Sequence, residues 1–362
     1  MRPPAAATLF LSEKSPTSHR SMNTLRRAIL LLSESFSHGP IYGLAQHRIR
    51  NLTPLEPEEN WDFWTKPRNP VVMYALNGYP PAFVRKLLVK VRFLLSHEAG
   101  IAAHYDVSNE FYELFLDKKY MFYSCADFNR SDETLEQAQE NKANFILNLI
   151  DPKKGERILE LGCGWGAMLR RIYESTGDKE NLLGYTLSKK QVAHINERYG
   201  FNVSFKNFIT TSYEDESFDK IYSIGAWEHV RPHEIPVLLR KLYRALKPGG
   251  KLVQHFFCLP DRAFPSSMVL AQIFFPGSVL ASYQYQINAC RKAGFQITYE
   301  SEHDYRATLR AWYSNLVENK DKAIKLVGVS TYNKYLGFFP ICWKMFDERQ
   351  ASVHRLVLEK PY

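Results

Sequence analysis

The sequence predicts an α/β protein built on a doubly wound sheet, and three observations carry this. From about Glu98 onward, short apolar runs of strand character alternate with runs whose apolar residues recur at helical spacing. A glycine cluster, Gly162, Gly164 and Gly166, directly follows one such strand and opens a helix. The chain has 362 residues, 45% apolar and 23% charged, enough for one large core and a smaller appended unit.

The front of the chain differs in composition. Residues 1–33 hold Arg2, Lys14, Arg20, Arg26 and Arg27 against a lone Glu13, with many Ser, Ala and Pro, the composition of an organellar targeting segment. A disordered extension, or a start at Met22, accounts for the same residues. Residues 34–98 read as a basic, mainly helical N-terminal extension. Within it, residues 51–81 carry Pro54, Pro57, Trp61, Trp64, Pro67, Pro70, Pro80 and Pro81 and read as an irregular connector. From Ala82 to Leu95 the apolar Phe83, Val84, Leu87, Leu88, Val91, Leu94 and Leu95 fall at helical spacing, interleaved with Arg85, Lys86, Lys90 and Arg92. A basic amphipathic helix of this kind suits a lipid interface; packing on the catalytic region is the alternative.

Charge agrees with the first reading. The formal net charge is +9, and residues 1–98 supply +6 of it, 13 Lys+Arg against 7 Asp+Glu. An anionic membrane surface is therefore an expected partner. Nucleic acid is not expected, because the excess charge lies ahead of the catalytic region and no RNA-binding signature is found. A homodimer is left open. The longest apolar stretches fall well short of the ~20 residues of a membrane-spanning helix, so membrane contact is expected to be peripheral. Five widely spaced cysteines, Cys125, Cys163, Cys258, Cys290 and Cys342, an odd number without a C-x-x-C pair, argue for reduced thiols and a cytoplasmic setting.

Residues 99–362 form the expected catalytic domain. Arg157–Leu161, Leu182–Thr186, Val203–Phe205, Lys220–Ile224 and Lys251–Phe256 read as strands, and Lys189–Tyr199 and Glu234–Leu246 as helices. In Glu160-Leu161-Gly162-Cys163-Gly164-Trp165-Gly166 the glycines allow a tight turn and close approach of a nucleoside to the backbone. The longer G-x-G-x-x-G spacing of dinucleotide sites is absent, and position 167 is Ala. Glu160 at the strand end, Phe218-Asp219-Lys220-Ile221 leading a fourth strand and Leu246-Lys247-Pro248-Gly249-Gly250-Lys251 turning into a fifth together resemble the class I S-adenosylmethionine methyltransferase pattern, with its Rossmann-like sheet. A sulfonium is well served by aromatic faces, for which Tyr123 and Trp165 are candidates. The second strand ends in Tyr185-Thr186-Leu187-Ser188, followed by Gln191, so hydroxyl and amide groups replace the usual acidic ribose contact.

More specific motifs surround this loop. His104-Tyr105-Asp106-Val107-Ser108-Asn109-Glu110-Phe111-Tyr112, then Phe122-Tyr123-Ser124-Cys125-Ala126-Asp127-Phe128, and Ser223-Ile224-Gly225-Ala226-Trp227-Glu228-His229-Val230 resemble, in order and spacing, those of cyclopropane-fatty-acyl-phospholipid and mycolic acid cyclopropane synthases. The resemblance covers roughly residues 100–360. It implies S-adenosylmethionine as cofactor, bound by Tyr123, Ser124, Glu160, Gly162, Gly164, Gly166, Thr186, Leu187, Gln191, Asn207 and Trp227. It implies an unsaturated acyl lipid as substrate, whose cis double bond attacks the sulfonium methyl. A bicarbonate ion then removes a methyl proton to close the ring, held by groups that map onto Cys125 through its backbone, Glu228, His255 and Tyr305, with Phe257 beside them. An acyl-binding insertion is expected near 258–345, and no metal. One departure stands out: where the family often has an Asp-Tyr pair after the third strand, this chain has Asn207-Phe208-Ile209. A methylene- or methyl-branching enzyme and a small-molecule methyltransferase are the competing readings.

Overall fold

The structure, a computed structural model, describes residues 48–49, 53–67, 107–259 and 280–362. The targeting-like segment, the basic helix Ala82–Leu95 and His104-Tyr105-Asp106 lie outside these residues.

Pro57–Thr65 forms helix α1, in the stretch expected to be an irregular connector. Pro57 stands in the first turn, where its missing N–H costs nothing, and Glu58 and Glu59 face the helix's positive end. The tryptophans that looked like loop residues anchor it: the Trp61 ring packs 4.8 Å from Tyr313 and 5.8 Å from Trp343. A short helix α2, Asn109–Tyr112, is capped by Ser108. Helix α3, Leu135–Ile150, begins with a reciprocal capping box between Thr134 and Gln137.

The sheet then builds up as β1 Ile158–Leu161, α4 Ala167–Thr176, β2 Leu182–Thr186, α5 Lys189–Arg198, β3 Asn202–Phe205, β4 Phe218–Ile224, α6 Ile235–Ala245 and β5 Leu246–Cys258. Its strand order is β3-β2-β1-β4-β5-β7-β6. Strands β1 to β5 are parallel, and the anticipated strands and helices match them to within a few residues at each end. The register of β5 against β4 shifts across Lys247–Gly250, since Leu246 pairs with Phe218 and Lys251 with Lys220.

The antiparallel edge is an addition to the sequence reading. Helix α7, Tyr283–Lys292, leads to β6, Gln296–His303, and after α8, Arg306–Glu318, and α9, Lys320–Asp347, the chain returns as β7, Ser352–Glu359, between β5 and β6. In Gln296-Ile-Thr-Tyr-Glu-Ser-Glu-His the alternation of exposure along the strand is marked by apolar residues only at Ile297 and Tyr299, and no residue of β6 is fully buried. Helix α9 breaks at Gly328, whose φ of +78° suits glycine; its second half, Tyr332–Met345, is mostly buried.

Three cores follow from this layering. Helices α3, α4 and α5 cover one face through Ile146, Met168, Leu169 and Ile195, against Ile158 and Tyr222. Helices α6 and α7 cover the other through Leu238, Leu239, Leu242 and Ile287, against Leu159 and Leu161. Alternate residues of β1 thus serve opposite cores. A third, aromatic-rich core joins α1, α2, α8 and α9 with Met121, Tyr123 and Trp165.

Candidate active site

At the carboxyl ends of β1 and β4 the strand order reverses, the place where an open α/β sheet leaves a crevice. A cleft enclosing about 1270 Å³ of space, open to solvent, occupies it. Tyr123, Ser124, Glu160, Gly162, Gly164, Thr186, Leu187, Gln191 and Asn207 all line this cleft. Gly162 has φ +79°, and a Cβ there would stand 2.3 Å from Ala226 Cβ; Gly164 has φ +51° and faces open space. The first glycine therefore packs loop on loop, and the second lets a ligand approach. Gly166 is the residue before α4 and lies against Ile195 rather than lining the cleft.

The polar groups of the cleft are tied locally. Thr186 donates its hydroxyl proton to Gln191 Oε1 at 2.6 Å and accepts the Ser188 N–H at 3.2 Å. Asn207 Oδ1 accepts the Ile209 N–H at 2.9 Å. Glu160 accepts the Tyr222 hydroxyl at 2.9 Å, and burial raises its carboxyl to about 8. A cationic group in the cleft would favour the carboxylate. Trp227 sits away from the cleft: its indole is buried in the α6–α7 core and donates to Gln286 Oε1 at 2.8 Å.

A second cavity, of about 760 Å³ with its opening to solvent included, adjoins the cleft, and Tyr123, Ser124, Gly225 and His229 line both. Cys125, Glu228, His255, Phe257 and Tyr305 all line it. Strands, loops and cap helices each contribute. Glu228 belongs to a single helical turn, Trp227–His229, after β4, and His255 lies within β5, inside the anticipated strand Lys251–Phe256 and paired with Ile224, while β7 extends the ladder to Cys258. Tyr305 precedes α8 and packs against Trp312 and Phe346. The remaining walls are largely apolar, including Leu309, Phe338, Met345 and Val353.

Electrostatics distinguish the members. Glu228 Oε1 accepts the Phe257 N–H at 3.2 Å, while Oε2 is buried with no hydrogen-bond partner among the described residues, and burial raises the carboxyl to about 7. Burial pushes the Cys125 thiol to about 12, so it is no nucleophile. His255 is held well below the ordinary imidazole value by burial and then by Arg355.

Several residues here escaped sequence reasoning. Arg355 on β7, fully buried, donates Nε–H to His255 Nδ1 at 2.9 Å and grips both oxygens of Asp127 at 2.6 and 2.8 Å. His303 Nδ1 lies 3.3 Å from Asp127 Oδ1. Burial raises the Asp127 carboxyl, but the bonds from His303 and Arg355 outweigh it and hold it at about 2. Lys142 on α3 is also fully buried, donating to Ser124 Oγ at 2.9 Å, and burial lowers its ammonium to about 7. A lone arginine in an apolar strand and a lysine on an apolar helix face were the available signals.

Comparison with known proteins agrees with this architecture. The sequence model of the mycolic acid cyclopropane synthetase family matches residues 94–356. Cyclopropane mycolic acid synthase 3 of Mycobacterium tuberculosis is 32% identical over 287 residues, covering 74% of this chain and 99% of that protein. Among solved structures, the cyclopropane synthase MmaA2 from the same organism superposes with a TM-score of 0.67 at 28% identity, over 74% of this chain and 99% of its own. Mycolic acid cyclopropane synthase CmaA1, complexed with SAH and CTAB, gives 0.66 at 29% identity, over 73% and 98%. The chain belongs to the mycolic acid cyclopropane synthetase family and has the fold of S-adenosylmethionine-dependent methyltransferases.

Proposed function

We propose that the protein transfers a methylene unit from S-adenosylmethionine to the cis double bond of an unsaturated fatty acyl chain, carried by a phospholipid at a membrane surface, and closes a cyclopropane ring with bicarbonate as base. The observation that carries this reading is the second cavity, apolar along most of its wall and bearing a carboxyl, an imidazole and a phenol beside the cofactor cleft. An apolar wall suits an acyl chain, and the polar groups line the same cavity beside the cofactor cleft.

The cofactor supplies an electrophilic methyl; bicarbonate supplies a base. The residues fit both. Gly164 leaves open space for a nucleoside, with Thr186, Gln191 and Asn207 around it. Glu228 Oε2, buried and lacking a partner among the described residues, suits a hydroxyl donor such as that of bicarbonate, which His255, Tyr305 and the Cys125 backbone would hold. Two anions so close would repel, and a Glu228 carboxyl raised to about 7 accommodates a shared proton. Tyr123, Phe257, Tyr305 and Trp312 line the cavity, and aromatic side chains there would favour a passing cation on the acyl chain.

The test is transfer of methyl label from S-adenosylmethionine to vesicles of phosphatidylglycerol carrying either cis-monounsaturated or saturated chains. Label in the acyl fraction of the unsaturated vesicles alone supports the reading. Label in the headgroup, or only in added small-molecule amines, overturns it.

A further inference from the structure

His255 and Arg355 face each other across the β5–β7 ladder, directly paired in register. Arg355 leaves little freedom to either. Its two terminal nitrogens grip the Asp127 carboxylate, which fixes the guanidinium plane, and the group lies 4.8 Å over the Phe145 ring. Its remaining Nε–H points at His255 Nδ1 at 2.9 Å. A guanidinium carries donors and no acceptor. The bond therefore needs the lone pair of Nδ1, and the single proton of a neutral ring must sit on Nε2.

We propose that Arg355, oriented by Asp127, is a positioning residue that locks His255 as the Nε2–H tautomer, so that the imidazole offers its cavity a fixed hydrogen-bond donor and takes no part as a base. The identity of the acceptor, bicarbonate, rests on the function proposed above; the tautomer does not. Surroundings reinforce the neutral state. Burial first, then the positive charge of Arg355, with smaller contributions from Lys142 and His303, opposes protonation of His255, and the Asp127 carboxylate is already bonded to Arg355 and His303. From the cavity side Glu228, Tyr305 and Cys125 face the same space. Under this assignment proton removal falls to another group, and His255 orients that group without changing charge.

The test is nitrogen NMR of the full chain labelled with 15N-histidine, with the His255 signals identified by their loss in His255→Gln. Protonated and unprotonated ring nitrogens resonate far apart. Wild type should show an unprotonated Nδ1 and a protonated Nε2, unchanged across about pH 5–8, where an ordinary imidazole changes charge. Arg355→Lys retains a cation for Asp127 and removes the fork. There the two signals should move toward the average of mixed tautomers, with turnover lower by about 10- to 100-fold, the usual loss when an imidazole's orienting partner is removed at a metal site. A protonated Nδ1 or an ordinary titration in wild type overturns the proposal, as does a wild-type signature in Arg355→Lys. If that variant does not fold, the wild-type spectrum decides alone. No substrate is needed, so failure of the cyclopropane reading would leave these spectra as they are.

Discussion

Gly162 and Gly164 share one loop and answer to different constraints. An added Cβ at Gly162 would overlap Ala226, whereas one at Gly164 meets nothing within 4 Å. Gly162→Ala should therefore lose stability, and Gly164→Val should fold, with some backbone strain, yet lose S-adenosylmethionine affinity. Thermal denaturation and calorimetry separate the two; unchanged cofactor affinity in a folded Gly164→Val protein would refute the loop's assignment. Glu228 gives a second prediction. Its carboxyl rises from an ordinary 4.5 to about 7 on folding, so its ionisation opposes the fold. The penalty is absent below about pH 4.5, grows as pH rises toward 7 and levels off above, approaching a limit of the order of 3 kcal/mol. Glu228→Gln should then be no more stable than wild type at pH 4 but more stable at pH 8.5, while turnover falls by about 10²–10⁴-fold, the usual contribution of a positioned acid–base group. A pH-independent stability difference with normal turnover would contradict both roles.

At the scale of elements, the basic segment Ala82–Leu95, expected from its periodicity to be an amphipathic helix, is the clearest unassigned feature of the sequence. If it meets the membrane, replacing Arg85, Lys86, Lys90 and Arg92 with Gln should weaken sedimentation with anionic vesicles, by about 1 kcal/mol for each charge in contact, and spare activity on detergent-dispersed substrate. Equal vesicle binding would assign the helix to packing instead. Among the described residues no helix is long and apolar enough to cross a membrane. Among the parallel strands, β1, β2, β4 and β5 were legible because each contains apolar residues in a run bounded by turn residues, and the short β3 through Val203 and Phe205 alternating with polar neighbours. The later strands were not. β6 hides in a polar stretch, and β7 carries His354 and Arg355 in its interior, where a pattern of apolar residues alone does not anticipate them. The same gap concealed the Arg355–His255 pair, since residues a hundred positions apart meet only through that ladder. Helix α1 was obscured by prolines and tryptophans that its packing on α8 and α9 explains.

In the whole molecule, the sheet supplies one cavity and the cap helices complete another. Cofactor-side residues come from the ends of β1, β2 and β4 and the segment after β3, while α8 and α9 wall the adjoining cavity. The five residues expected to do chemistry were found by motif order and line the second cavity together, whereas Trp227, drawn from the same motif, serves the core. A motif marks a stretch of chain; burial decides which of its side chains face the site. The central claim is that a methyl group is delivered to an acyl double bond and then loses one proton to close a ring. It is tested most directly by supplying S-adenosylmethionine with a fully deuterated methyl group and analysing the acyl chains by mass spectrometry before and after mild hydrogenation. Cyclopropane formation predicts that two of the three deuteriums are retained in a product that mild hydrogenation leaves unchanged. A chain carrying all three deuteriums, or a product that takes up hydrogen as an exocyclic methylene does, would contradict ring closure.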